Sequence, residues 1–162
     1  MISTTADETR RACAPRVRLV TVKQLRGELK GSPVRMPHAA ARHAREFLEG
    51  EDREHFLVLH LDSKHQVVSI EVASIGTLSS SLVHPREVFK GAILANAAAV
   101  ICAHNHPSGN VEPSTDDREI LKRLVEAGRL LGVPVLDFLI VTDDEHWSAS
   151  ERGLLDGGSA RV

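Results

Sequence analysis

Tyrosine is absent from this chain, and four phenylalanines and one tryptophan bring the aromatics to only 3% of its 162 residues. So few rings leave little from which to build a base-stacking platform for single-stranded nucleic acid. Neither sign of charge dominates: 20 Lys and Arg stand against 22 Asp and Glu, a formal charge of -2. That balance argues against broad phosphate neutralisation; nucleic acid remains a possible partner only through a local basic patch. The two cysteines, Cys13 in a polar leader and Cys102 in an apolar run, make no disulfide framework and fit a reducing compartment. No apolar run is long enough to span a bilayer, and the opening MISTTADETRRACAPR has no apolar signal core. The expectation is a cytoplasmic protein with no membrane partner.

What is present is a hydrophobic fraction of 42%, enough for one core of ordinary size. Residues 1–15 are expected to form a flexible tail, and 16–50 a strand-and-helix segment. In that segment RVRLVTV alternates apolar and polar residues, as a strand does. PHAAARHAREFLEG reads as a helix, with Pro37 in its first turn and Gly50 past its end. The compact part is expected over 51–156, followed by a loose tail, 157–162. It opens on EHFLVLHLD, with Phe56 and Val58 on one face and Leu57, Leu59 and Leu61 on the other, a strand buried on both sides. After the turn SKHQ, VVSIEVASIG returns as an antiparallel strand. HPREVFKGAILANA is a helix, AAVICAH a short buried strand, and STDDREILKRLVEAGRLLG an amphipathic helix stopped by Gly132 and Pro134. VPVLDFLIVTDDEHWSAS supplies two further strands around an Asp-rich turn. The order β-β-α-β-α-β-β predicts a mixed α+β or α/β fold, a central sheet with helices packed on it.

The stretch ICAHNHPSGNVEPSTDD carries the chemistry. Alternate strand residues share a face, so His104 and His106 point the same way with Cα atoms roughly 6–7 Å apart. Pro107 ends the strand and Ser108-Gly109-Asn110 turns the chain. Ser114 is placed to cap the next helix, and Asp117 in its first turn can point back at the histidines. Two imidazoles and one carboxylate with no fourth protein ligand suit a catalytic metal, which keeps a position for water. Zinc fits that donor set best, ahead of iron, manganese or nickel. The plainer reading is that Ser114 and Asp117 merely cap a helix and need no metal. Cys102 shares the histidines' parity but reads as a small core residue. Asp116 reads as a partner of the helix dipole and His84 as a helix cap. His38, His43, His55, His60, His65 and His146 lack partners at ligand spacing, so packing or surface roles are expected of them.

His104-x-His106-Pro107, six residues, then Ser114-x-x-Asp117 resembles the JAMM signature of the JAB/MPN metalloproteins. With GTL (Gly76 to Leu78), HPRE (His84 to Glu87) and AHNHPSG (Ala103 to Gly109), residues 51–153 look like the RadC branch of that family. The resemblance implies a mostly antiparallel central sheet flanked by helices, of the cytidine-deaminase-like kind. It implies a zinc metallopeptidase or isopeptidase acting on a peptide or protein substrate, with one zinc per chain held by His104, His106 and Asp117. Ser114 would lie near the bound water and help hold the oxyanion. The family's upstream glutamate, a general base, matches Glu54 best, with Glu71 on the next strand as the competitor. The other function implied is that of a RadC-type accessory protein of DNA repair or mobile elements, binding partners or DNA around a structural metal. The sequence departs from the pattern in three places. Asn105 stands between the histidines where deubiquitinating members carry Ser or Thr. The branch's late LDH reads Leu136-Asp137-Phe138. The helix-hairpin-helix region of long RadC proteins has no counterpart here.

Overall fold

The structure, a computed structural model, describes residues 33–76 and 83–155. The two expected tails, the strand expected at 16–22, Cys13, and Thr77 and Leu78 of the GTL stretch lie outside the described residues. The elements are α1 (Pro37–Leu48), β1 (His55–Leu61), β2 (Val67–Ile75), α2 (Pro85–Leu94), β3 (Ala99–Asn105), α3 (Thr115–Leu131), β4 (Val135–Val141) and β5 (His146–Ser148). The strands form one sheet in the order β2-β1-β3-β4-β5. Only β3 and β4 run parallel; the other neighbours are antiparallel. This is the mixed, mostly antiparallel sheet with flanking helices that the sequence predicts.

Every residue of β1 is buried, because helices cover both faces of the sheet. Phe56, Val58, Cys102, Phe138 and Ile140 face α2 and α3, packing with Val88, Phe89, Leu121 and Leu124. Leu57, Leu59, Ile101, Ala103 and Leu139 face the other way, onto Ala40, Ala41, Ala44 and Leu48 of α1. The helix that the sequence places ahead of the compact part is therefore a working layer of it. Its small alanines let the helix lie close to the strands, and Arg45 Nε donates to the Thr142 carbonyl at 2.8 Å, tying it to the end of β4.

Each helix ends where its sequence signals predict. His84 Nδ1 accepts from the Arg86 amide at 3.1 Å and caps α2, whose first helical residue is Pro85. Gly132 closes α3 in the left-handed region, at φ 69°. Two apolar faces are narrower than their spacing suggests: Ile93 of α2 and Leu131 of α3 are 57% and 49% exposed. Each lies within the last two residues of its helix, beyond the reach of the sheet.

Candidate metal centre

The centre forms where the end of β3, the start of β1 and the start of α3 meet. Antiparallel pairing of β1 with β3 runs to Phe56↔His104. One further step of that register would set His55 opposite Asn105, and the next Glu54 opposite His106. Directly opposed residues share a face, so Glu54, Phe56, His104 and His106 all look toward α3. The first turn of α3 then brings Asp117 to them. One ligand atom from each of Glu54, His104, His106 and Asp117 lies within 4.8 Å of all the others. Among the described residues this is the one such His/Cys/Asp/Glu group.

The Nε2 atoms of His104 and His106 stand 3.0 Å apart. Asp117 Oδ1 is 3.2 Å from the first and its Oδ2 is 3.6 Å from the second. Two ligands on one tetrahedral zinc, each about 2.0–2.1 Å from the ion, stand roughly 3.3 Å from each other. The three separations bracket that figure. His106 Nδ1 donates to the Asn110 carbonyl at 2.6 Å, since a carbonyl only accepts. That bond fixes the tautomer and leaves Nε2 with its lone pair facing the cluster. Lone pairs and a carboxylate aimed at one point repel unless a cation or a proton lies between them. The Asp117 carboxylate raises the His106 pKa against the opposing effect of burial. The residues therefore fit a divalent ion.

His104 is 1% exposed and its orientation comes from packing. Phe56 stacks on its ring, centroids 5.9 Å apart at 16°, and Phe138 meets it edge-on at 5.3 Å and 70°. Its Nδ1 is buried with no hydrogen-bond partner, so ring contacts replace the usual outer hydrogen bond. Sequence reading missed this use of Phe56 and Phe138; the available signal was parity, since both are paired into the strand face that carries His104.

Asp117 works in both of the ways its spacing allows. Its backbone amide donates to Ser114 Oγ at 3.1 Å, and its Oδ2 accepts from the Ser114 amide at 2.8 Å and the Ser114 hydroxyl at 2.6 Å. This is a complete capping box. Burial disfavours the charged form of Asp117, but the adjoining imidazoles of His104 and His106 and the hydrogen bond from Ser114 outweigh it and hold the carboxyl well below the usual carboxylate range. Ser114 itself is exposed, and its hydroxyl proton is committed to Asp117.

The other candidates sort by position. Glu54 is half-buried in the cluster. Glu71 is not there: it lies on β2 with Oε2 3.7 Å from His60 Nε2, against α2, so close to Gly91 that any Cβ on that glycine would overlap it. Cys102 is fully buried and its thiol is pushed up to about 12, chiefly by burial and then by the Asp137 carboxylate, which makes it inert. Asp116 is exposed in the first turn of α3. Asp137 instead anchors the end of β5 and the residues just after it. It accepts from the Phe138 and Ser150 amides and from the hydroxyls of Ser148 and Ser150, at 2.8–3.0 Å.

A groove of about 820 Å³ passes His106 between the C-terminal end of α1 and the ends of β3 and β4. Along its walls Glu46, Glu49, Glu51, Asp52 and Asp143 outnumber Arg45.

The family model described as "RadC-like JAB domain" matches residues 34–154, a span that includes α1. A UPF0758 protein of Rubrobacter xylanophilus is 57% identical over 104 residues, covering 64% of this chain and 45% of that protein. One from Symbiobacterium thermophilum is 58% identical over 104 residues, covering 64% and 44%. One from Bacillus cereus is 48% identical over 120 residues, covering 74% and 53%. The chain thus spans about half the length of the curated relatives it matches.

Proposed function

The chain belongs to the RadC-like JAB domain family, and we propose that it is a zinc-dependent hydrolase of peptide or isopeptide bonds in a peptide or protein substrate. The convergence of Glu54, His104, His106 and Asp117 at one point carries this reading. His104 and His106, each through Nε2, and Asp117, through a carboxylate oxygen, would hold one zinc per chain. A bound zinc supplies a Lewis acid that lowers the pKa of a water toward ~7 and polarises the scissile carbonyl.

Glu54 is the general base. It has no share in the helix cap that occupies Asp117, and its carboxylate is free to take a proton from the attacking water and pass it to the leaving amine. Ser114 is assigned to the oxyanion, a role that requires its hydroxyl to turn from Asp117 toward the developing charge; such a donor is worth about 3–4 kcal/mol in the strongest cases. Phe56 and Phe138 keep water from the inner side of His104 and fix its ring. The groove beside His106 has room for an extended peptide, and its excess of carboxylates repels phosphates, which weighs against a DNA-binding role for this face. A cytoplasmic setting suits the buried thiol of Cys102.

The test uses zinc-loaded protein and a mixture of synthetic peptides and isopeptide-linked conjugates, with products read by mass spectrometry. Wild type is expected to cleave. Glu54→Gln should lower turnover by about 10²–10⁴ with its metal retained, and Glu71→Gln should cleave like wild type. Retained cleavage in Glu54→Gln with loss in Glu71→Gln would reverse the assignment of the base.

A further inference from the structure

We propose that Asn105 is a positioning residue that holds Glu54 against the metal centre. What Glu54 does there rests on the hydrolase reading above; how it is held rests on hydrogen bonds alone.

Backbone pairing between β1 and β3 stops at Phe56↔His104. Beyond that point the end of β3 keeps its bond to β4, where the His106 amide donates to the Val141 carbonyl at 3.2 Å. The Asn105 side chain takes over the ladder to β1. Its Oδ1 accepts from the His55 amide at 2.7 Å, and its Nδ2 donates to the Arg53 carbonyl at 2.8 Å. These two backbone groups belong to the residues on either side of Glu54. Glu54's own carbonyl accepts from the Gly76 amide at 2.8 Å, and the buried ring of His55 donates through Nδ1 to the Arg53 carbonyl at 3.0 Å. The backbone that carries Glu54 is pinned on both sides, so only its side-chain torsions remain to be set.

The chemistry selects the residue type. A carboxamide offers one acceptor and one N–H donor in a plane, as a peptide group does, and can replace one peptide of a ladder. An aspartate keeps the acceptor, loses the donor and sets an oxygen against the Arg53 carbonyl. Serine and threonine cannot make two such bonds from one short hydroxyl. Because Asn105 stands between His104 and His106, the same residue that links the two ligands in sequence fixes the base to them in space.

The experiment uses the full chain, cobalt(II) alone as the probe, and the variants Asn105→Asp, Asn105→Ala and Glu54→Gln. Asn105 is no ligand, so cobalt stoichiometry should equal wild type in every variant. Amide hydrogen exchange at His55 should quicken at least about fivefold in Asn105→Ala, which loses the acceptor, and by less in Asn105→Asp, which keeps it. The pH midpoint of the cobalt visible spectrum, which reports the bound water, should move in Glu54→Gln and move the same way in the Asn105 variants. Asn105 variants with the wild-type midpoint beside a moved Glu54→Gln would overturn the proposal. So would unchanged exchange at His55 in Asn105→Ala. Loss of cobalt from Asn105→Ala would show that the residue supports the ligands and not the base, and would overturn it as well. A Glu54→Gln midpoint equal to wild type would remove the base role itself, and is read separately from the exchange result.

Discussion

At the scale of single residues, Ser114 and Asp117 show how one pair serves two ends. The capping box satisfies amides at the start of α3 and at the same time points a carboxylate at two imidazoles. Ser114→Ala removes the side-chain acceptor for the Asp117 amide and the hydroxyl that donates to Oδ2. Loss of such a cap costs about 0.5–2 kcal/mol, to be read from urea unfolding. Loss of an outer hydrogen bond to a ligand weakens metal binding about 10–100-fold, to be read by competition with a chelating dye. A variant that lost the stability but kept full metal affinity would leave Ser114 as a cap only. The histidines and Asp117 were legible in the sequence because strand parity and helix-start spacing are local. The roles of Phe138 and Asn105 were not, because each acts across a strand register that no local pattern states.

At the scale of elements, α3 is positioned by what it lacks. Gly128 is buried where a Cβ would fall 2.6 Å from the Val133 carbonyl oxygen and 3.1 Å from Phe89. A glycine here lets the helix sit close to Phe89 of α2 and to its own C-terminal turn. Gly128→Ala gains about 1 kcal/mol of helix propensity. It forces a close contact with backbone, and overpacking costs about 1–3 kcal/mol. The backbone cannot swing aside as a long side chain can, so the net change should be destabilising in urea unfolding. A more stable Gly128→Ala would mean that the helix has room to shift. The element order and the burial of β1 on both faces could be read from alternation and turn residues. The docking of α1 could not, because an alanine-rich face packs as readily on a sheet as on nothing in particular, and only the strands beneath it decide.

At the scale of the whole molecule, the sheet is closed by helices on both sides, and no helix among the described residues is long and apolar enough to cross a membrane. Outside the cluster, a titratable pair joins the buried His60 of β1 to Glu71 of the edge strand β2. Burial pushes the His60 imidazole down to about 4, with Ser69 Oγ at 2.7 Å from Nδ1 and Glu71 Oε2 3.7 Å from Nε2. Burial likewise raises Glu71, ahead of the opposing effect of Lys90, so the pair sits closer to neutral than to an ion pair. The unfolded chain binds a proton near pH 6.5 that the folded chain refuses until about pH 4. Stability from this group is therefore full above 6.5 and falls as the pH drops toward 4, by at most about 1.4 kcal/mol per pH unit. Thermal unfolding of wild type should lose Tm more steeply across that window than His60→Gln; equal slopes would show that the unfolded chain and His60 titrate alike. The central claim, that four residues from three elements build a zinc site, has a more direct measurement. Metal content of the purified protein and of His104→Ala and Asp117→Ala should give near one zinc per chain for wild type and little for either variant. A wild-type protein that binds no transition metal, or variants that keep it in full, would contradict the account.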